Sequence, residues 1–288
     1  MRGRARLFTI GGMPADSQKQ TGDQGGNRIL ALALVAMAAW LACPCAPAFA
    51  SKARPSIYET TLEEQNQKTP ELATDELKAL LAKGGAIVFD ARPVEEYAIA
   101  HIPGSLILDE KQLGRFTQSF PDRSISIVLY SNGPFCELAR LRSEDLLRLG
   151  YTRISRYQLG LPVWRALGNT AETSLQGFRQ VARDSNAVIV DARSRAEYAA
   201  GTVPGAQAIL AGEVSKAEKD RRLRYLDHST RVIVFANNEG GARAVADELA
   251  RHAYSNTSYF GGTYVELKRA KFFTERKPSA SDLDDLTK

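Results

Sequence analysis

One register shift organises this chain. Val88-Phe89-Asp90-Ala91-Arg92 aligns with Ile189-Val190-Asp191-Ala192-Arg193, Glu96-Tyr97 with Glu197-Tyr198, and Ile102-Pro103-Gly104 with Val203-Pro204-Gly205. All three pairs keep the single offset of 101 residues that separates Asp90 from Asp191. Unrelated segments do not hold one register through so many identities, so the chain contains a duplicated unit. Its 288 residues suffice for two domains of ordinary size. With 44% apolar and 25% charged residues the balance is that of a globular protein.

Each copy follows one plan. A short apolar run (86–89; 187–190) bounded by turn formers reads as a buried parallel strand, and a second (125–130; 232–235) follows some forty residues on. A loop and a helix come next. In the second copy Ala242, Val245, Ala246 and Leu249 stand at i, i+3, i+4 and i+7, one apolar helical face. Each copy closes on a glycine-containing turn with aromatic and apolar residues, Gly160-Leu161-Pro162-Val163-Trp164 and Gly261-Gly262-Thr263-Tyr264. Strands alternating with helices predict an α/β fold of two tandem domains, each a parallel sheet flanked by helices. The expected layout is a leader (1–50), a polar linker (51–69), a first domain (70–168), an inter-domain linker (169–174), a second domain (175–272) and a charged, frayed tail (273–288).

Asp90-Ala91-Arg92, Glu96-Tyr97 and His101-Ile102-Pro103-Gly104 together resemble the signature of rhodanese-like domains, and Gly160-Leu161-Pro162-Val163-Trp164 resembles that family's C-terminal turn. The resemblance covers most of residues 70–270 in two copies. It implies a sulfurtransferase fold, a reactive cysteine heading a loop between a strand and a helix, and a persulfide formed from thiosulfate or a similar donor. Most of the signature is scaffold. Asp90 and Arg92, like Asp191 and Arg193, are placed to pair or to tie a strand end to neighbouring backbone, with Glu96 and Glu197 beside them. His101 is part of the scaffold motif in this family, and Thr202 replaces it in the second copy.

The chemistry is expected in the loop after the second buried strand, where the first copy reads Tyr130-Ser131-Asn132-Gly133-Pro134-Phe135-Cys136. A thiolate is the nucleophile, and helix N-termini and nearby cations favour it. Cys136 follows a Gly-Pro turn at a helix start, with Arg140 and Arg142 close behind, so Cys136 is the expected sulfur carrier. Arg140, Arg142 and Gly133 are the expected donor-binding residues. Arg142 falls where the second copy has Val245, and an anion pocket or a rotation of the helix would each explain a charge there. The family cysteine, however, usually follows the strand directly, where this chain has Ser131. In the second copy the loop is Ala236-Asn237-Asn238-Glu239, with no cysteine, and this domain reads as non-catalytic.

The function expected is transfer of a sulfane sulfur from a small anionic donor through Cys136 to a thiol or cyanide. One alternative is a catalytically dead tandem pair serving as a binding scaffold. Another is a phosphatase or arsenate reductase, because Cys136 and Arg142 fit C-x5-R. That pattern needs a loop between them, and Glu137-Leu138-Ala139-Arg140-Leu141 reads as helix.

The N-terminal stretch adds an address. Arg28 precedes an apolar run from Ile29 to Ala42, followed by Ala48-Phe49-Ala50, the parts of a secretory signal peptide. The polar stretch before Arg28 is long, which points to initiation at Met13. Cleavage after Ala50 would remove Cys43 and Cys45 and leave Cys136 alone. A periplasmic or secreted protein with no membrane association after cleavage is expected, with a periplasmic protein as a further partner. The net charge of +5 is spread without an arginine-lysine block, which argues against nucleic acid. No metal is expected, because His101, His228 and His252 have no ligands at metal spacing, and no cofactor is expected either.

Overall fold

Parallel pairing organises both copies, and the reason lies in their strands. The computed structural model describes residues 67–223, 229–271 and 273–279. The leader, most of the first linker, His228 and the end of the tail lie outside the described residues. The first copy runs α1 (Thr74–Lys83), β1 (Ile87–Asp90), α2 (Val94–Ile99), β2 (Leu106–Ile107), α3 (Glu110–Ser119), β3 (Ser126–Tyr130), α4 (Leu138–Arg148), β4 (Arg153–Tyr157) and α5 (Gly160–Ala166). The second runs β5 (Ala171–Thr173), α6 (Leu175–Asp184), β6 (Ala187–Asp191), α7 (Arg195–Ala200), β7 (Gln207–Ala208), α8 (Val214–Lys219), β8 (Arg231–Phe235), α9 (Glu239–Arg251), β9 (Thr257–Phe260) and α10 (Tyr264–Arg269). The sheet orders are β2-β1-β3-β4 and β5-β9-β8-β6-β7, with every pairing between these strands parallel.

Strands buried on both faces need apolar side chains at every position, which is why Ile127, Val128 and Leu129 are all 0–1% exposed. Alternation then divides them. Val88 and Val128 pack with Leu77 and Trp164 on one face, whereas Phe89, Ile127 and Leu129 pack with Phe116 and Leu146 on the other. In α9 the predicted face of Ala242, Val245, Ala246 and Leu249 is buried against the second sheet. The two tandem parallel-sheet domains are therefore present as read from the repeat.

Two segments differ from the sequence reading. The stretch 169–174, taken as a linker, contains β5, an edge strand of the second sheet. Three residues are too few to show a period, so nothing in the sequence marks them as a strand. The equivalent edge of the first sheet is made by residues 70–72, where Leu72 N–H donates to Arg156 O and Arg156 N–H to Pro70 O, each at 2.8 Å. The described part of the tail is also pinned. Arg276 and Thr202 exchange main-chain hydrogen bonds at 2.9 and 3.0 Å, and Glu275 accepts from Tyr264 Oη at 2.7 Å.

The same device joins the copies. His101 and Glu172 exchange main-chain hydrogen bonds at 2.9 and 2.8 Å, so β5 completes the second sheet while capping the first domain. Thr173 Oγ1 donates to Ile99 O at 2.8 Å and Thr170 Oγ1 to Asp247 at 2.6 Å. Helix α6 packs on α2 so closely that a Cβ on Gly177 would lie 1.8 Å from Ala98 O. Among the described residues no helix is long and apolar enough to cross a membrane.

Candidate active site

Parallel pairing brings the C-terminal ends of three strands to one edge, where Asp90 is in register with Tyr130, and Tyr130 with Tyr157. Ligands of open α/β sheets bind outside such an edge. Beneath it sits a charged clasp. Asp90 is 0% and Arg92 4% exposed, Arg92 Nε donates to Asp90 Oδ1 at 2.9 Å, and Arg92 Nη2 donates to Ala100 O at 2.6 Å. The second copy repeats it. Arg193 Nε meets Asp191 Oδ1 at 3.0 Å and Arg193 Nη2 meets Gly201 O at 2.8 Å. A buried guanidinium with a carboxylate and a carbonyl to satisfy it fixes the turn after the strand. Pairing with Asp90 outweighs the burial that would lower it, and Arg92 is held even more firmly protonated than a free arginine.

Glu96 reaches from this clasp to the loop above. Asn132 Nδ2 donates to Glu96 Oε2 at 2.7 Å, and Asn237 Nδ2 donates to Glu197 Oε1 at 2.6 Å in the twin. The signature glutamates thus tether the loop after β3 or β8. His101 lies at the domain junction. Its ring stacks on Tyr97 at 3.9 Å, its Nδ1 is 2.8 Å from Tyr97 O, and its Nε2 is 3.6 Å from the Glu172 carboxylate.

The loop 131–137 arches from β3 to α4. Ser131, at the place of the family cysteine, is 2% exposed and its hydroxyl donates to Cys136 O at 3.3 Å. Gly133, at φ +106°, turns the chain so that Cys136 N–H donates to Gly133 O at 3.0 Å. Cys136 is half-buried, next to Phe135, which is 83% exposed. Helix α4 starts two residues on, with Glu137 at its cap position and no side chain capping its first amides. In the twin, Asn238 closes the start of α9 by accepting from Gly241 N–H at 2.9 Å, and the helix begins at Glu239. The second loop is therefore shorter, and the Asn238 side chain takes up one of the first amides of its helix.

Both arginines expected near the thiol have carboxylate partners. Arg140 pairs with Glu137 at 3.0 Å and Glu144 at 3.1 Å, and Arg142 pairs with Asp145 at 2.7 Å. Arg142 does stand where the second copy buries Val245, but it pairs with Asp145 one turn along the same helix, a carboxylate it shares with Arg148. An anion pocket is not needed to explain it. Glu137 to Leu141 is helical turn, with Leu141 N–H donating to Glu137 O at 2.9 Å, so the amide cradle that C-x5-R requires is not formed.

Three further residues position the loop. Gln158 Nε2 donates to Pro134 O at 3.1 Å and Leu161 N–H to Ser131 O at 3.1 Å. Gly160, at φ +66°, approaches so closely that a Cβ would lie 2.4 Å from both Gly133 N and Ser131 O. The sequence offered one signal for this, the glycine that opens the C-terminal turn, without saying what it touches.

The family model for the rhodanese-like domain matches residues 73–167 and again 174–270. Among solved structures, the chain is similar to a thiosulfate sulfurtransferase from Pseudomonas aeruginosa, at 20% identity, TM-score 0.32, over 75% of this chain and 46% of that one. It is also similar to the 3-mercaptopyruvate sulfurtransferase SseA from Escherichia coli, at 18% identity, TM-score 0.32, over 68% of this chain and 99% of that one. The BH2092 protein from Bacillus halodurans matches at 26% identity, TM-score 0.34, over 36% of this chain and 77% of that one. The chain thus spans less than half the length of the Pseudomonas enzyme. No curated protein matches it. The two matched segments take in every strand of the two sheets except β5 and span well over half of the sequence, and the protein belongs to the rhodanese-like family, with its domain present twice in tandem.

Proposed function

We propose that this protein is a sulfurtransferase that carries a sulfane sulfur on Cys136. The observation that carries the reading is a half-exposed thiol two residues ahead of a helix whose first amides have no side-chain cap. Such amides hold an anion and favour a thiolate. In the proposed step the Cys136 thiolate attacks the outer sulfur of thiosulfate. The donor's S–S bond breaks, sulfite leaves with the bonding pair, and Cys136 holds a persulfide. An acceptor thiolate or cyanide then attacks the terminal sulfur, and the Cys136 thiolate is restored with the electron pair of that bond. Nothing is oxidised or reduced overall. Donor binding through Arg140 and Arg142 would require their ion pairs with Glu137, Glu144 and Asp145 to open, so in this reading the helix amides bind first. The second domain, lacking cysteine, supports the first.

Ser131 favours a second reading, a tandem scaffold without catalysis, because the position of the family nucleophile is filled by a buried hydroxyl. Intact-mass spectrometry after thiosulfate separates the two. The expected result is a gain of about one sulfur mass that cyanide removes and that Cys136→Ser never shows. Absence of any adduct with every donor would overturn the catalytic reading. Export to the periplasm or beyond is proposed from the leader alone, and an N-terminus at Ser51 in protein recovered from the expressing cell is the expected sign.

A further inference from the structure

A buried chain of polar side chains runs from the edge of the first sheet to the loop that carries Cys136. Parallel register sets Glu71 beside Arg156, and alternation carried one residue past β4 puts Gln158 on the same face as Arg156. Arg156 Nη2 meets Glu71 Oε1 at 3.3 Å, Arg156 Nη1 donates to Gln158 Oε1 at 3.3 Å, and Gln158 Nε2 donates to Pro134 O at 3.1 Å. Arg156 is 1% and Gln158 8% exposed. A guanidinium has donors only, so it claims the oxygen of the amide and leaves the amide NH2 to face Pro134 O. Pro134 lies two residues ahead of Cys136, whose own N–H donates to Gly133 O at 3.0 Å.

The cysteine-less copy breaks this chain after its first member. Tyr130 and Phe235 are equivalent strand ends, in register with Asp90 and Asp191. Leu129 then pairs with Arg156 where Val234 pairs with Tyr259, so Tyr259 takes the place of Arg156 and Gly261 that of Gln158. Glu172 keeps the place of Glu71, opposite Tyr259, but its carboxylate turns to His101 at 3.6 Å. A buried ion pair contributes little net stability beside an apolar pair of similar volume, so its presence in the cysteine-bearing copy alone calls for another role. We infer that Glu71 and Arg156 are positioning residues, which fix the Gln158 amide so that it holds the Cys136 loop in its reactive place. The inference rests on the reading of Cys136 as the sulfur carrier and adds residues that act on it through the loop.

The test loads the full chain with thiosulfate at a series of concentrations and follows persulfide formation by intact mass, with the melting temperature measured alongside. Two variants break the chain at different links. Glu71→Gln with Arg156→Met removes the ion pair without stranding a charge, so it should melt within roughly 5 °C of the wild type. Gln158→Glu keeps a partner for Arg156 but sets a carboxylate oxygen against Pro134 O. In each, the limiting loading rate should fall by about tenfold or more, because a small displacement of the nucleophile removes its alignment. The thiosulfate concentration at half the limiting rate should move less, since the amides of α4 that hold the donor stay in place. A limiting rate within about twofold of the wild type in either folded variant would overturn the inference, as would a loss that falls on half-saturation alone. A variant without a melting transition leaves the other to decide. Should the wild type form no persulfide, the carrier reading fails separately. The positioning is then read from Cys136 alkylation by iodoacetamide, where Gln158→Glu should change the rate by about threefold or more and an unchanged rate removes the inference.

Discussion

Arg92 and Arg193 are 4% and 6% exposed, and each gives its guanidinium to the aspartate two residues back and to one main-chain carbonyl. Removing one partner of a buried pair strands the other. Arg92→Met should therefore lower stability by about 3–5 kcal/mol in urea unfolding, because Asp90 is left without a counter-charge. Arg92→Lys should recover only part of this, since a point charge cannot meet the carboxylate and Ala100 O together. Gly160 is the second residue on which the site depends. Gly160→Ala should cost about 2 kcal/mol or more from the left-handed backbone and the clash with Ser131 O. It should also change the rate of Cys136 alkylation at pH 6, because Gly133 must move. The Asp-Arg clasp was legible in the sequence, where its members lie two residues apart. The Gly160 contact was not, since it joins residues that only the sheet brings together.

At the scale of elements, the two loop helices differ at their first turns. Asn238 accepts from Gly241 N–H and caps α9, whereas Glu137, at the cap position of α4, makes no side-chain cap. Asn238→Ala is expected to destabilise by about 1 kcal/mol, read as a lower melting temperature. Glu137→Ala removes only an exposed ion pair with Arg140 and should stay within about 0.5 kcal/mol. Helix α9 was readable because thirteen residues carry a full apolar period. Strand β5 was not, because its three residues alternate between buried Ala171 and Thr173 and a half-buried Glu172, and two buried positions make no pattern.

On the scale of the whole molecule, the copies are held by main-chain exchange at His101 and Glu172 and by the close approach of α6 to α2. The Glu172 carboxyl is held below its ordinary range, first by its hydrogen bond to His101, with burial opposing. A carboxyl depressed in the folded state stabilises it above the ordinary carboxylate range, and the contribution is lost as pH falls through the folded value. Wild type and Glu172→Gln should therefore differ in melting temperature near neutrality and converge in acid. A difference that persists unchanged at pH 3 would exclude this linkage. Gly177→Val should loosen the whole molecule, because a side chain there meets Ala98 O and Ile99 Cα. A single cooperative transition shifted to lower temperature is the expected calorimetric outcome.

By itself the sequence determined the duplication, the parallel-sheet class, the buried clasp and the identity of the one cysteine that could carry sulfur in the repeat region. These rest on local spacing and on identities repeated at one offset, which survive without knowledge of any contact. The tertiary structure alone decided that residues 169–174 join two domains as a strand, that Arg140 and Arg142 are charge-paired, and that Gly160 and Gln158 position the loop. Those outcomes depend on which surfaces meet after the chain has folded back on itself, and a sequence carries no distance between residues that are far apart along it.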